Sequence, residues 1–288
     1  MMAFFKHILK KYFLILKVRS RLHPSVQPAQ KELYFKYRDM ASKNSLPLFS
    51  ETGFRVFSQF EEDGLLLYIF SLLGMSQKTF IEIGADDGVN SNSANLYFHH
   101  GWHGLFVDGN QRSLERGRYF FSRYPHNWFH PPIFKQAFVT RENVNELISE
   151  AGFSGEIGLL SIDIDGNDYW VWDALEVVQP QVVIIETHNE FGTRNIVVPY
   201  DSKYVYPGKH PLYHGASPVA MQLLGKKKGY RLIGSNQLAS NFVFVRNGLL
   251  ENEIPEVNAL DLLSHPSTVE GMKGFKEIEH FEYLTPIT

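Results

Sequence analysis

Segments typical of buried strands alternate with helical segments through the middle of the chain, and this alternation limits the fold more than any other feature. The predicted strands are Phe80–Ile83, Gly104–Val107, Lys135–Val139, Gly158–Ile164 and Gln181–Glu186, and the predicted helices around them are Glu62–Leu73, Ser93–His99, Arg112–Phe121, Glu142–Ala151 and Tyr169–Val178. Successive β-α units require a parallel sheet, because each right-handed crossover lays its helix on one face. Two later segments, Tyr230–Gly234 and Asn241–Arg246, can pair as an antiparallel hairpin. We therefore predict an α/β fold with helices on both faces of a mostly parallel sheet and a C-terminal antiparallel β-hairpin.

The turn after the first predicted strand has the composition of a ligand loop. Glu82 stands at the end of the strand, and Gly84 and Gly88 follow it among small polar residues. Glycines let the backbone bend tightly and approach a ligand closely. The pattern differs from the dinucleotide fingerprint, because Asp86 stands where that fingerprint needs its second glycine. An ordinary strand-to-helix turn is the alternative.

Asp108 lies 20 residues beyond Gly88, at the end of the second predicted strand. In a Rossmann-like sheet, a carboxylate at this position accepts hydrogen bonds from a ribose diol. The alternative is that Asp108 only forms a turn with the residues that follow it.

Two carboxylates stand close together at the end of the fourth predicted strand. Asp163 and Asp165 are two residues apart, so in a strand they would share a face, and we expect Asp168 to cap the next helix. Such carboxylates repel each other unless a sulfonium cofactor, a substrate amine, a metal ion or a shared proton lies between them. A solvated turn is the alternative.

The fifth predicted strand ends at Glu186 and is followed by His188 and Asn189. His188 could act as a general base or as a neutral metal ligand. Asp163, Asp165, His188 and Asn189 are therefore candidate metal ligands, and their oxygens favour Mg²⁺. A histidine that only forms a hydrogen bond is the alternative.

A long segment without predicted helix or strand, residues 188–216, is rich in tyrosine and histidine. Segments of this length inside a compact domain commonly act as lids or binding loops. Aromatic faces with hydroxyl groups suit a sugar or another polar ring, although the same side chains could simply pack the loop down.

Charge is distributed unevenly along the chain. The net formal charge is −3, yet residues 1–30 carry six basic residues and no acidic one, which leaves 22 basic and 31 acidic residues elsewhere. This acidic body argues against nucleic-acid binding. The chain contains no cysteine, so disulfides and thiolate zinc sites are excluded.

The N-terminal residues 1–22 are predicted to form a basic amphipathic helix, which could contact a membrane surface or pack on protein. Lysines interrupt it too early for a transmembrane span or a signal peptide, so we expect a cytoplasmic protein, with peripheral contact at the inner membrane as an option. The expected organisation is this helix, a linker and helix over residues 23–50, a main domain over 51–250 and an appendage over 251–288. Within the second of these segments, His23–Gln30 is predicted to be the linker, because two prolines break the helix.

Several motifs together resemble the FkbM-like class I S-adenosylmethionine-dependent methyltransferases. The resemblance covers about residues 55–247 and is carried by SQFEEDG, FIEIGADDG, GWHGLFVDGN and LLSIDIDGNDYW. The C-terminal motifs VPYDSKYVY, YHGAS, KKKGYRLIGSN and NFVFVR resemble an uncharacterised bacterial branch found among surface-glycan genes. This resemblance implies a Rossmann-like class I methyltransferase sheet.

The resemblance also implies roles for individual residues. The cofactor loop would consist of Glu82, Gly84, Ala85, Asp86, Gly88 and Asn92. Asp108 would hold the ribose, Ala137 and Phe138 would flank the adenine, and Asp163 would lie beside the methyl-bearing sulfur. Asp165 or His188 would take the acceptor proton, although many members of the family have Glu-Gly where this chain has Asp165-Gly166.

We therefore expect an enzyme that transfers a methyl group from S-adenosylmethionine to a sugar or glycan hydroxyl, with Mg²⁺ as an optional metal. One alternative is a non-catalytic binding or scaffold module on the same fold. Another is a metal-dependent hydrolase or transferase that uses Asp163, Asp165 and His188.

Overall fold

The computed structural model describes residues 16, 18–123 and 130–286, and its contacts divide the chain into two compact units. The first unit comprises Met1–Leu46 and Phe54–Phe138, and the second comprises Pro47–Gly53 and Val139–Thr288. The strands are β1 Thr79–Ile83, β2 His103–Asp108, β3 Ile133–Gln136, β4 Gly155–Ile162, β5 Val178–Glu186, β6 Tyr230–Ser235 and β7 Asn241–Arg246. The helices are α1 Val26–Ser42, α2 Glu62–Leu73, α3 Ala94–His100, α4 Gln111–Phe121, α5 Val144–Glu150, α6 Asp168–Ala174, α7 Pro218–Lys227, α8 Pro266–Gly271 and α9 Phe275–Ile278.

The strands of the described residues form one seven-stranded sheet in the order β3-β2-β1-β4-β5-β7-β6. Within the first unit, β1 pairs in parallel with β2 and β2 with β3. Within the second unit, β4 and β5 are parallel, whereas β7 runs antiparallel to both β5 and β6. The prediction of a Rossmann-like, mostly parallel sheet with an antiparallel C-terminal hairpin is confirmed.

Continuous apolar runs form the central strands, as expected where helices cover both faces of a parallel sheet. In β4, Leu159 and Leu160 are fully buried, and in β5 Val182, Val183 and Ile185 are fully buried. Because both faces of these strands are buried, the polar residues of interest lie where the strands end and the next segments begin.

Three predicted elements extended at least two residues too far at their C-terminal ends. The third strand ends at Gln136, and β4 ends at Ile162, so Asp163 lies beyond its strand. The helix predicted for Tyr169–Val178 ends at Ala174, and Val178 instead begins β5. Pairing of Val178 with Gly155 extends β5 toward its N-terminus, and this tertiary contact overrides the local helical pattern.

Helix α1 replaces much of the predicted linker His23–Gln30. Its third residue is Pro28, which the first turn of a helix accommodates because the N–H groups there have no intrahelical partner. Gln30, on the buried face of this helix, exchanges two 2.9 Å side-chain hydrogen bonds with Asn95 and lies 2.7 Å from His100 Nε2. His99 and His100 are buried residues of α3.

The motif Ser58–Gly64 folds around one buried carboxylate at the start of α2. Asp63 Oδ2 accepts hydrogen bonds from the backbone N–H groups of Val56, Phe57 and Ser58, at 2.7, 2.5 and 2.9 Å. Complete burial raises the pKa of Asp63 to about 6, although these N–H groups act in the opposite direction.

The C-terminal segment, residues 251–286, packs on the long loop of the same unit. Phe275 and Ile278 form one buried apolar cluster with Phe191 and Tyr213 of the loop. The Tyr213 hydroxyl donates to the Glu282 carbonyl oxygen at 2.5 Å. The segment predicted to be an appendage therefore helps to fix residues 188–216.

Most of the predicted basic helix over residues 1–22 lies outside the described residues. Along the parts of the chain that are described, no helix combines the length and the apolar character needed to cross a membrane.

Candidate functional site

The loop after β1 bends through two glycines in the left-handed region. Gly84 has φ +88° and Gly88 has φ +70°, conformations that favour glycine. The N–H groups of Gly84 and Ala85 both donate to the Val107 carbonyl oxygen, at 2.9 and 3.1 Å, and Gly88 donates to the Ala85 carbonyl at 2.7 Å. The predicted tight turn is therefore present, and these bonds attach it to the end of β2.

Glu82 holds the far end of this loop. Its Oε1 accepts the Asn92 N–H and its Oε2 accepts the Ser93 N–H, each at 3.0 Å. The residue is only 5% exposed, and burial raises the pKa of its carboxyl against the effect of these donors. Glu82 and Asn92, two of the predicted cofactor residues, thus contact each other and fix the shape of the loop.

Asp108 joins the β1 loop to the start of α4. Its Oδ2 accepts the N–H of Asp86 at 2.8 Å, and its Oδ1 accepts the N–H of Asn110 at 2.7 Å. The side chain of Asn110 in turn caps α4. Partial burial raises the pKa of Asp108, and the two backbone donors act against this rise. Each carboxylate oxygen has two acceptor positions, so each can still accept a hydroxyl proton.

Helix α4 supplies residues that the sequence analysis missed. Arg116 reaches Asp86 at 3.4 Å and Asp87 at 3.7 Å. A Cβ atom on Gly117 would lie 2.3 Å from the Asp87 carbonyl oxygen, so the helix approaches the loop too closely for any side chain at that position. An arginine and a glycine in a helix carry no local signal of this contact.

Ala137 and Phe138 follow β3 at the same edge of the sheet. The Ala137 N–H donates to the Asp108 carbonyl oxygen at 3.1 Å, which attaches this segment to the end of β2. Phe138 is 70% exposed, and its ring lies 3.1 Å from the position that a Cβ of Gly109 would take. The first unit thus contains every predicted cofactor residue except Asp163.

In the second unit, a tight turn follows β4. Asp168 accepts the N–H of Ile164 on Oδ1 and the N–H of Gly166 on Oδ2, at 2.9 and 3.0 Å. We expected Asp168 to cap α6, but Asn167 occupies the cap and Asp168 is the first helical residue. The buried Asp168 points back into the turn instead, and Asp165 sits at φ +52° on the exposed side.

The ends of β4 and β5 form a carboxylate cluster. Oxygens of Asp163, Asp165 and Glu186 lie within 4.8 Å of one another. Burial, followed by the charges of Asp163, Asp168 and Asp165, raises the pKa of Glu186 well above its ordinary value. The predicted crowding of Asp163 and Asp165 is therefore present, and Glu186 adds a third carboxylate to it.

His188 and His214 form a second group with Glu186, whose ligand atoms also lie within 4.8 Å of one another. The two rings are 3.8 Å apart between centroids at an angle of 74°. Desolvation by burial and then the His188 ring lower the pKa of His214 to about 3. His188 Nδ1 lies 3.4 Å from Glu190 Oε2, and Asn189, the remaining metal candidate, donates its amide to the Leu238 carbonyl at 2.7 Å.

Three glycines make room for the side chains around this group. A Cβ on Gly215 would lie 2.4 Å from the His188 ring, while Cβ atoms on Gly166 and Gly208 would lie 2.4 and 2.5 Å from the Tyr204 ring. The Gly215 N–H donates to the Gly166 carbonyl at 3.0 Å, which brings the long loop onto the turn after β4. His214 arrives with this loop, so the sequence offered no spacing from which to place it beside His188.

Comparisons with known proteins give similarity of fold at low sequence identity. No protein-family model matches the chain, and no curated protein sequence matches it either. The O-methyltransferase from Bacillus cereus in complex with SAH is 13% identical, with a TM-score of 0.42, over 73% of this chain and 88% of that one.

Two further solved structures have similar values. An O-methyltransferase family protein from Burkholderia thailandensis is 12% identical, with a TM-score of 0.40, over 83% of this chain and 71% of that one. The N-terminal domain of EvdMO1, determined in the presence of SAH and D-fucose, is also 12% identical, with a TM-score of 0.40, over 75% of this chain and 95% of that one.

Proposed function

We propose that this protein is an S-adenosylmethionine-dependent O-methyltransferase of the FkbM-like class and that its first unit binds the cofactor. The observation that carries the proposal is the convergence of the β1 loop, Asp108 and Phe138 at the carboxyl ends of three parallel strands, where ligands bind in open α/β sheets. The motifs that resemble this family include both the loop and Asp108.

The residues of the first unit fit the parts of the cofactor. Each oxygen of Asp108 has room for one more donor, which suits the two hydroxyls of a ribose. Phe138 exposes an aromatic face that can stack on adenine. Gly84 and Gly88 allow the backbone to approach the amino-acid part of the cofactor without side chains in between.

When bound, the cofactor supplies an electrophilic methyl group on a positively charged sulfur. Asp163 is the carboxylate that we assign to that positive charge, in keeping with its place in the motif. Of the two predicted bases, Asp165 is exposed, whereas His188 is only 8% exposed. We therefore assign to Asp165 the removal of the acceptor hydroxyl proton, while the hydroxyl oxygen forms its bond to the methyl carbon and the carbon–sulfur bond breaks.

The acceptor that we propose is a sugar or glycan hydroxyl. The long loop presents Tyr206, which is 50% exposed, and this kind of aromatic surface suits a polar ring. The motifs VPYDSKYVY and YHGAS, which resemble the branch found among surface-glycan genes, lie in the same loop. Much of the rate would come from holding the acceptor in line with the methyl group.

Calorimetric titration with S-adenosylmethionine and then S-adenosylhomocysteine tests the cofactor site. We expect micromolar binding of both and a roughly 5-fold to 10-fold weaker affinity in Phe138→Ala, as the loss of one aromatic stack implies. Phe35→Ala is the matched control, because Phe35 is a similarly exposed aromatic residue of the first unit at 65%. A wild-type protein that binds neither compound, or equal affinities of the two variants, would contradict the proposal.

Methyl transfer is tested separately with a panel of nucleotide sugars, by following the release of S-adenosylhomocysteine. We expect Asp165→Asn to lower turnover about 100-fold or more while cofactor affinity is retained, because only the proton acceptor is lost. Asp261→Asn, at another exposed position of the second unit, should leave turnover unchanged. Equal turnover in the two variants would remove Asp165 from the mechanism.

A second candidate function is a metal-dependent hydrolase or transferase. The observation in its favour is the carboxylate cluster of Asp163, Asp165 and Glu186, whose oxygens are the kind of ligand that Mg²⁺ takes. Activity that disappears on chelation and does not require the methyl donor would support this function over methyl transfer.

A further inference from the structure

We infer that Glu186, His188 and His214 form a binding site for a divalent transition-metal ion of the Zn²⁺ class. One carboxylate and two imidazoles are a ligand set that such ions favour, whereas Mg²⁺ prefers oxygen atoms alone. All three residues belong to the second unit.

The ligand atoms are close to the spacing that a metal ion requires. Zinc binds nitrogen and oxygen ligands at about 2.1 Å, so two ligands of a four-coordinate ion stand about 3.4 Å apart. The candidate atoms of Glu186, His188 and His214 lie within 4.8 Å of one another. Displacements of roughly 1 Å, shared among three side chains, would therefore close the site around an ion.

Buried polar atoms without partners point to the same ion. His188 is 8% exposed and His214 is 4% exposed. Within the described part of the chain, none of His188 Nε2, His214 Nδ1 and Glu186 Oε2 forms a hydrogen bond. Buried polar groups in native proteins nearly always form hydrogen bonds, and leaving them without one is costly, so these atoms require a partner that can accept their lone pairs.

The residues around the three candidate ligands supply negative charge that would balance a cation, and they leave a defined space for the His188 ring. Asp163 and Asp165 lie within reach of Glu186, and Glu190 lies 3.4 Å from His188 Nδ1, so a cation would relieve the repulsion among these carboxylates. Gly215 is held at φ +71° and leaves the space that the His188 ring occupies. The His188 ring thus occupies space that a glycine at position 215 leaves open, and both imidazoles are buried.

Glu186, His188 and His214 are better candidates for a metal site than the group formed by Asp163, Asp165 and Glu186. Asp165 is exposed, and water can solvate its oxygens without a metal ion. The imidazoles of His188 and His214 have no such access to water. A buried imidazole has a ring nitrogen with a lone pair, and no water is at hand to use it, so a metal ion can take that position.

The test is metal binding by the full chain, purified without a polyhistidine tag, stripped with chelator and dialysed. Titration with Zn²⁺ against a chromophoric chelator should give one equivalent bound with micromolar or tighter affinity. Bound Co²⁺ should give visible absorption typical of nitrogen ligation. Both His214→Ala and Glu186→Gln should weaken Zn²⁺ binding at least about 10-fold, since each removes one of three protein ligands.

His210→Ala is the matched control, because His210 lies in the same loop and pairs instead with Glu277 at 3.5 Å. Its affinity for Zn²⁺ should equal that of the wild type. If circular dichroism shows that His214→Ala does not fold, the nearly isosteric Glu186→Gln variant tests the site instead. No binding of Zn²⁺ or Co²⁺, unchanged affinity in Glu186→Gln, or displacement of Zn²⁺ by an equal concentration of Mg²⁺ would each overturn the inference.

Discussion

Substitution of Gly215 by alanine should destabilise the second unit in two separable ways. The residue has φ +71°, and the left-handed conformation costs an alanine about 1–2 kcal/mol. The added Cβ would also lie 2.4 Å from the His188 ring. That ring cannot swing away freely, because the His214 ring lies 3.8 Å from it and the Phe191 ring 5.6 Å.

The steric part should add about 1–3 kcal/mol, the usual penalty for an extra methyl group in a packed interior. We therefore expect Gly215→Ala to lower the free energy of unfolding by roughly 2–5 kcal/mol in total. Gly229→Ala is the matched control: Gly229 has φ +83°, and no atom lies within 4 Å of its Cβ position. That variant should lose only the conformational part, about 1–2 kcal/mol.

Urea denaturation followed by tryptophan fluorescence measures both values, because Trp170 and Trp172 lie in α6 of the same unit. A third comparison separates the steric contribution of the His188 ring from the conformational contribution. In a His188→Ala background the ring is gone, so Gly215→Ala should lose no more stability than Gly229→Ala does. Equal losses for the two glycine variants in the wild-type background would refute the packing that we describe around His188.

Three further outcomes are expected. The raised pKa of Asp63, about 6 against an ordinary 3.8, favours its protonated form in the folded state, so this residue should contribute a loss of about 3 kcal/mol of stability as pH rises from about 4 through about 6. Urea unfolding across that range should find a loss smaller by this amount in Asp63→Asn than in the wild type, because Glu82, Asp108 and Glu186, whose pKa values are also raised, titrate in both proteins. In Gly117→Ala the Cβ would lie 2.3 Å from the Asp87 carbonyl oxygen, so the β1 loop must shift, and calorimetry should detect weaker cofactor binding than in the wild type. Phe275→Ala should lower the free energy of unfolding by about 3 kcal/mol, whereas Val269→Ala, at a 48% exposed position, should change it by less than about 0.5 kcal/mol.

Local sequence patterns predicted the strands, most helices and the β1 loop, because periodicity and glycine conformation act over a few residues. They failed where distant contacts decide. The end of α6 depends on pairing between β4 and β5, and Pro28 is accommodated only because it falls in the first turn of α1. At the candidate site, the position of Glu186 could be predicted, because the ends of adjacent strands meet. The position of His214 could not, because His214 reaches His188 only through the fold of a long loop, and such a loop has no periodic sequence signal.

The packing of the C-terminal segment on the long loop sets a limit on how such a protein could acquire a new specificity. Loops usually tolerate insertions and deletions, because few contacts depend on their length. Here Phe191 and Tyr213, near the two ends of the loop, are anchored by Phe275 and Ile278. Grafting or lengthening the loop would therefore require matched changes in the last forty or so residues. Single replacements at exposed positions such as Val205, which is 63% exposed, are the changes that could diversify while the anchors stay in place.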